Sequence, residues 1–333
     1  MSNGSVTIAD IAEEVGLSKT TVADALGGAG RVAEPTRQRV IEAAKRLGYA
    51  SNRAARSLRS GKNGAIGIYI PQAVRQLSFY MQFAFGAADS ASADGNDLTL
   101  LAVPRPGRGI ASLHIDGAIV VDPVPGDIVS EHLFASQLPI VSVGTPVEPV
   151  GPAVAVIRIP YERVVPAFLD AWAGENRQPI AFIVPDDTFT TPWSRDIHNA
   201  TSEWGMSRGV ELDEFTLPVV PSDTELRAAL EAISTASSRY GRRLLVAPEM
   251  VAGRSVGILD QLTEDRWAIA SLSGDPGTEL SNPRIASLDL GAHRFGEQAA
   301  RFLHDILAGT AQPGSERLFE IQVRRTTQTE VRR

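Results

Sequence analysis

The chain has 333 residues, 43% of them hydrophobic, with a formal net charge of −7 and no cysteine. That length has room for two or three domains with buried cores. The missing cysteines exclude disulfides and cysteine-ligated metal sites. No run approaches the roughly 18 apolar residues of a membrane-spanning helix, and no charged-then-apolar leader opens the chain, so a cytoplasmic protein is expected. Charge is unevenly spread: residues 1–62 carry 10 Lys/Arg against 6 Asp/Glu, a balance of +4, and the remainder a balance of −11. A basic head on an acidic body fits a polyanion partner for the head alone, or chance variation in surface charge.

Three short helices open the chain. Thr7 followed by Asp10 has capping-box spacing, and Ile8, Ile11, Ala12 and Val15 then recur on one helical face. Gly16 suits the left-handed residue that ends a helix. Leu17 plugs a turn, and Ser18 is placed to cap a second helix, Lys19 to Leu26, with Val22, Ala25 and Leu26 inward. Pro35 starts a third helix that buries Val40, Ile41, Ala44 and Leu47 before Gly48 stops it. Two helices joined by a four-residue turn, braced by a third, form a helix-turn-helix. In that motif the N-terminal end of the second helix enters the major groove, which places Lys19, Thr20 and Thr21 toward base edges. Lysine can contact O6 and N7 of guanine, and threonine can touch a thymine methyl.

The stretches "VTIADIAEEVGLSKTTVADAL", "TRQRVIEAAKRLGYASNRAARSLRSGK" and "GAIGIYIP" resemble the lactose-repressor-type (LacI/GalR) transcription regulators, without a gap from Val6 to about Pro71. The resemblance carries DNA contact onto Thr7, Ser18, Lys19, Thr20, Thr21, Tyr49, Asn52, Arg53, Ala55, Arg56 and Leu58, and Asp24 is a further candidate on its own chemistry. The resemblance departs at Ala23-Asp24, where most relatives have serine-arginine. Asp24 could accept from the N4 amino group of cytosine, or tilt to solvent or toward a neighbouring lysine, so the relatives' operator does not transfer. "SNRAARSLRSG" is too short and polar to hold a helix alone. By resemblance it is a hinge helix whose Leu58 wedges between base steps of the minor groove, with Arg53, Arg56 and Arg59 on phosphates. Read without the resemblance, it is an arginine-rich linker.

From Ile66 onward, apolar strands ("AIGIYI", "LTLLAV", "GAIVVD", "PIVSVG", "PIAFIV", "RRLLVA", "WAIASL", "RIASLDL") alternate with helical stretches near 75–94, 126–137, 161–174, 191–206, 223–240, 250–262 and 291–308. That alternation implies parallel sheets covered on both faces. Pro166 should kink its helix or delay its start. Between "LLAV" and "IDGAIVV" only about a dozen residues remain, close to the shortest parallel crossover. The resemblance makes the body a periplasmic-binding-protein-like effector domain whose two lobes close on a small molecule. Its effector positions fall on Phe79, Arg195 and, as nearest candidate, Asp275. Trp193 could stack on a ligand or simply pack. The relatives' asparagine-aspartate pair is replaced by Pro248-Glu249, which weakens the case for a sugar.

The five histidines show no metal-ligand spacing, and no nucleophile motif or strand-borne phosphate loop is present. No cofactor or metal is expected, nor catalysis. The expected organisation is an all-α helix-turn-helix DNA-binding head over 1–50, a hinge over 51–63, and an α/β two-lobed body with parallel sheets over 64–333. The expected partners are a pseudo-palindromic double-stranded DNA operator, a small-molecule effector of unknown identity and a second copy in a homodimer, with no membrane. The expected function is an effector-controlled transcription repressor. The alternatives are a solute-binding protein, a constitutive regulator that has lost ligand control, or a helix-turn-helix fused to an enzyme.

Overall fold

A computed structural model describes residues 6–27, 32–49, 62–102, 114–186, 191–248, 250–274, 282 and 284–321. The chain divides into two compact units, Met1–Gly64 and Ala65–Arg333.

The first unit holds α1 (Ile8–Val15), α2 (Lys19–Gly27) and α3 (Glu34–Leu47). The Thr7 backbone N–H and hydroxyl both donate to the Asp10 carboxylate, at 2.7 and 2.9 Å, so the start of α1 is closed locally. Ser18 Oγ accepts from the Thr21 N–H at 3.0 Å and starts α2 in the same way. Gly16 and Gly48 end α1 and α3 at φ +67° and +69°, where a Cβ would be strained. Arg39 of α3 donates to the Val15 carbonyl at 3.2 Å, which satisfies a free acceptor at the end of α1. The core is Ile11, Val22 and Val40, fully enclosed by Ala12, Val15, Ala25, Ala43 and Ala44. Ile8, Leu26 and Leu47 pack against this core while partly buried, and Ile41, expected inside, is also only partly buried. Three short helices meet at one small centre, so the alanines sit at the contact and larger side chains close its edge.

The second unit is two parallel sheets. The first contains β1 (Ala65–Tyr69), β2 (Asp97–Leu100), β3 (Gly117–Val121), β4 (Ile140–Val143), β5 (Ala155–Arg158) and β11 (Glu316–Leu318), in the order β11-β5-β4-β3-β1-β2. The second contains β6 (Ile180–Pro185), β7 (Leu212–Leu217), β8 (Arg243–Val246), β9 (Ala268–Ser271) and β10 (Ile285–Ser287), in the order β10-β9-β8-β6-β7. Helices α4 (Ser78–Ala93), α5 (Ile128–Phe134), α6 (Tyr161–Ala173), α7 (Pro192–Arg208), α8 (Asp223–Thr235), α9 (Val251–Leu262) and α10 (Ala292–Leu307) connect them. Central strands such as β1 and β3 are buried along their whole length, as parallel strands covered on both faces must be.

The chain leaves the first lobe after β5 and returns after β10, when α10 packs on α4. That crossing is unusually close: a Cβ on Gly86 would overlap the His293 carbonyl, and one on Gly296 the Phe83 carbonyl. Phe83 and Phe295 meet edge to face at 5.5 Å beside it. Three strands are absent from the sequence reading: β7 ("LDEFTL") and β11 ("ERL"), which carry no continuous apolar run, and β5 ("AVIR"), which lies in the apolar run "AVAVI" and is passed over. The helix α6 neither starts late nor breaks at Pro166, which lies inside one continuous helix. Its apolar face, from Val164 and Val165 to Phe168, Leu169 and Trp172, is buried strongly enough to offset one lost backbone bond. The β2–β3 connection lies outside the described residues from 103 to 113.

Candidate functional site

On the first unit, the N-terminal end of α2 is the polar edge. Lys19 and Thr20 are exposed there, and Thr21 and Asp24 are half-buried on the flank of the same helix. Ser18 and Thr21 are tied to each other, hydroxyl to hydroxyl at 2.8 Å, and Thr7 is tied to Asp10. Both hydroxyls therefore hold the backbone in shape before meeting any partner. The Asp10 carboxyl is held below the usual range by those two Thr7 bonds, the backbone bond first. Tyr49 is half-buried against the three-helix core, its N–H on the Ala44 carbonyl at 2.9 Å. Asn52, Arg53, Ala55, Arg56 and Leu58 lie outside the described residues.

On the second unit, a cleft opens at the C-terminal ends of β3, β4 and β5, the edge where open α/β sheets offer ligand sites. Leu77, Phe79, Tyr80, Asp122, Val143, Gly144, Arg158, Ile159, Leu290 and Phe295 line it from the first lobe, and Tyr161, Trp193, Asp196 and Ser273 from the second. Asp122 follows β3 with φ +43°, an uncommon conformation for a residue with a Cβ. It is 5% exposed, accepts from the Tyr80 hydroxyl at 2.9 Å and takes the backbone N–H of Trp193 across the cleft. Burial pushes its pKa up to about 7, the Tyr80 bond opposing. Asp196 is raised as well, by burial first, against its pairing with Arg195. The phenols of Tyr80 and Tyr161 are pushed well above their ordinary range, burial first and then the Asp122 charge.

The two lobes also touch where Gly144 meets Pro192 so closely that a Cβ there would collide with the proline ring. Phe79 stands beside Tyr80 at 5.2 Å, edge to face. Trp193 forms the opposite wall. Arg195 does not line this cleft. Its side chain runs into an adjoining open hollow with Glu162, Asn199 and Glu203, where Nη2 reaches the Thr145 carbonyl at 3.0 Å and the guanidinium pairs with Asp196 at 2.8 Å. Asp275 and Glu249 lie outside the described residues.

Sequence reasoning passed over Asp122, Tyr80, Tyr161 and Asp196. One signal was available: Asp122 ends the otherwise apolar run "GAIVVD" at the edge where parallel sheets place ligands. Among the described residues no cluster of three His, Cys, Asp or Glu could hold a metal, and no helix is long and apolar enough to cross a membrane.

The family model for bacterial regulatory proteins, lacI family, matches residues 7–52, which span α1 to α3. An HTH-type transcriptional regulator of Mycolicibacterium smegmatis is 34% identical over 152 residues, 42% of this chain and 41% of that one. Catabolite control protein A of Priestia megaterium is 28% identical over 249 residues, 68% of this chain and 69% of that one. The chain spans less than half the length of five of the curated relatives it matches. A lac repressor dimer solved with operator and the anti-inducer ONPF superimposes with a TM-score of 0.74 at 17% identity, covering 95% of this chain and 96% of that one. At that identity the likeness establishes the fold: a helix-turn-helix head joined to a two-lobed parallel α/β body.

Proposed function

We propose that the chain is a member of the lacI family of bacterial regulatory proteins, whose model matches residues 7–52, and that it is a sequence-specific DNA-binding repressor whose operator affinity is set by a small molecule between the two lobes. The observation that carries the reading is α2, capped by Ser18 and presenting Lys19 and Thr20 to solvent at its N-terminal end. Side chains so placed reach base edges when such a helix enters the major groove. Thr7, Ser18, Thr21, Asp24 and Tyr49 complete the proposed contact surface. Asn52, Arg53, Ala55, Arg56 and Leu58 belong to a proposed hinge over 51–63, between a head of 1–50 and a body of 64–333. One short helix reads few bases, so a homodimer on a pseudo-palindromic operator is the proposed binding form. The protein then acts by binding, without catalysis, in the cytoplasm.

Selection from randomised duplexes tests the reading. The full chain should enrich a two-fold symmetric site, with affinity falling steeply as salt rises because several Lys/Arg displace counterions. Lys19→Ala and Thr20→Ala should each shift the preferred half-site, by about 1–3 kcal/mol per lost base contact. The same motif from wild type and both variants would remove α2 as the reading helix. Loss of the Leu58 side chain should weaken the selected site more than random DNA.

A further inference from the structure

We propose that the second unit holds itself closed: the first turn of α7 latches the two lobes together, and the Trp193 ring stands between them in the place of a small molecule, so that an effector acts by displacing it. This rests on the reading of the chain as a ligand-controlled regulator, and names how that control is exerted. Three of the first four residues of α7 engage the first lobe, each at a different point. Pro192 lies against Gly144, where an added Cβ would come within 2.6 Å of the proline ring. Trp193 gives its backbone N–H to the Asp122 carboxylate, and its indole N–H is close enough to the Tyr80 oxygen to oppose the upward push of burial on that phenol. Arg195 Nη2 donates to the Thr145 carbonyl at 3.0 Å.

The turn that carries these residues is fixed before it meets the first lobe. The Thr191 N–H donates to Ser194 Oγ at 3.0 Å, and the Ser194 N–H donates to Thr191 Oγ1 at 3.3 Å. Both residues are buried. Pro192, Trp193 and Arg195 are therefore presented as one piece, and opening the lobes breaks their contacts together.

The space between the lobes is already taken. Trp193 is 8% exposed and belongs to one apolar core that runs from Ile66, Tyr80 and Phe83 in the first lobe to Phe182, Ile197 and Leu272 in the second. Lobes standing apart would each close over a core of their own. What stays free is about 40 Å³, and one water needs about 10–15 Å³, so the remainder holds about three waters. A larger molecule enters only when Trp193 leaves. Its apparent affinity is then reduced by the rarity of that open state.

The chain has no cysteine, so Ile128→Cys and Met250→Cys, both at exposed positions and one in each lobe, take a pair of spin labels whose separation reports closure. The labelled full chain is diluted into excess unlabelled chain without DNA. The separation and the melting temperature are then read with and without indole, which replaces a deleted tryptophan ring. The otherwise unaltered chain should show one separation and no response to indole. Trp193→Gly should add a longer separation and lower the melting temperature by at least about 5 °C. Indole should reverse both changes, as small apolar molecules fill an apolar cavity. Gly144→Ala pushes Pro192 away from the other lobe and should lengthen the same separation. Trp204, on the same helix, is 2% exposed and donates to Asp170 within the second lobe. Trp204→Phe should lower the melting temperature and leave the separation as it was.

Two separations, or saturable indole binding, in the otherwise unaltered chain overturns the proposal. So does an unchanged separation in Trp193→Gly or in Gly144→Ala, or an equal lengthening in Trp204→Phe. Affinity for the DNA site selected by the full chain separates the two readings. A longer separation that leaves DNA affinity unchanged keeps the latch and breaks control by closure. DNA affinity that indole alters in the unaltered chain, at a fixed separation, keeps the regulator and removes the latch.

Discussion

The two units hold their polar groups in opposite ways. In the first, the polar residues of α2 lie on an outer edge: Lys19 and Thr20 meet water, and Ser18 and Thr21 close a cap over three residues of chain. In the second, Asp122, Tyr80 and the Trp193 indole are inside, enclosed by residues from helices α4, α6, α7 and α10 and from the ends of β3, β4 and β5. Exposed caps have ordinary energetics, because water stands in when a partner is lost. A buried carboxylate does not, since every change in its charge is felt by the fold. The contrast predicts that the second unit responds to pH and to single added atoms far more than the first.

The largest expected effect is at Asp122. Its folded pKa of about 7 lies above the ordinary carboxylate value, so the folded state binds the proton more tightly than the unfolded chain. The stability it contributes is full below about pH 4 and is lost as pH rises to about 7. A shift of roughly three units corresponds to on the order of 4 kcal/mol at about 1.4 kcal/mol per unit. Asp196 is raised too and acts in the same direction. Asp170, Asp213 and Asp260 are held low, first by bonds from Arg208, Arg239 and Arg284, and those contributions disappear only in more acid solution. Denaturant unfolding between pH 5 and 7.5 should therefore show stability falling with pH, with a much flatter profile in Asp122→Asn. Parallel profiles for the two proteins would mean that Asp122 is ionised throughout.

Next comes the α4–α10 crossing. Gly296→Ala places a methyl against the Phe83 carbonyl, a backbone atom that cannot swing away. Forcing a packed crossing apart costs about 3 kcal/mol, so the melting temperature of the second unit should fall by several degrees. Gly27→Ala in the first unit meets nothing within 4 Å and should leave stability almost unchanged. Equal effects from the two substitutions would undo the contrast between a crowded body and an open head edge.

The same contrast explains which parts of the molecule were legible in the sequence. The head is built from signals three to five residues long: Thr7 with Asp10, Gly16, Ser18, Gly48. Each acts on its immediate neighbours, so reading the chain in order recovers α1, α2 and α3 almost residue for residue. The helices of the body follow from periodicity, and its fully buried strands from apolar runs. The edge strands β7 and β11 lack that signal because one face meets water and pairing is carried by the backbone. The cleft was the least legible. Tyr80, Asp122, Tyr161 and Trp193 are far apart in sequence and are brought together only by two lobe crossings, which no local pattern encodes. Arg195 looked suited to the cleft by position, but the side chain's length carries it past the cleft to Thr145.

A smaller effect tests the head. Ser18→Ala removes the one side chain that accepts from the Thr21 N–H, and should cost about 1 kcal/mol. The loss should be independent of pH, since neither group ionises, and it should appear in thermal melting of the isolated signal from α1 to α3. Ser18→Asp restores the acceptor and should recover most of the stability. Failure of the aspartate to recover it would show that the hydroxyl pair with Thr21 matters more than the cap.

The smallest expected effect on stability is Arg195→Ala. The Arg195–Asp196 pair is about a quarter exposed on each side, at 28% and 23%, and pairs so open to solvent contribute between nothing and about 1 kcal/mol. Its value lies in what it separates. Arg195 also donates to the Thr145 carbonyl, a bond between the second lobe and the first. Removing it loosens the closed arrangement by one hydrogen bond and leaves Asp196 without its cation. The Asp196 carboxyl, already raised by burial, should rise further because the opposing influence comes first from Arg195. The cleft would then gain negative charge at high pH without gaining a partner. Thermal melting of Arg195→Ala should therefore lie within about 1 kcal/mol of wild type, while Arg195→Lys, which keeps the charge but loses the planar fork, should stay closer still. A loss in Arg195→Ala well above about 1 kcal/mol would show that the bond to the Thr145 carbonyl holds the two lobes closed.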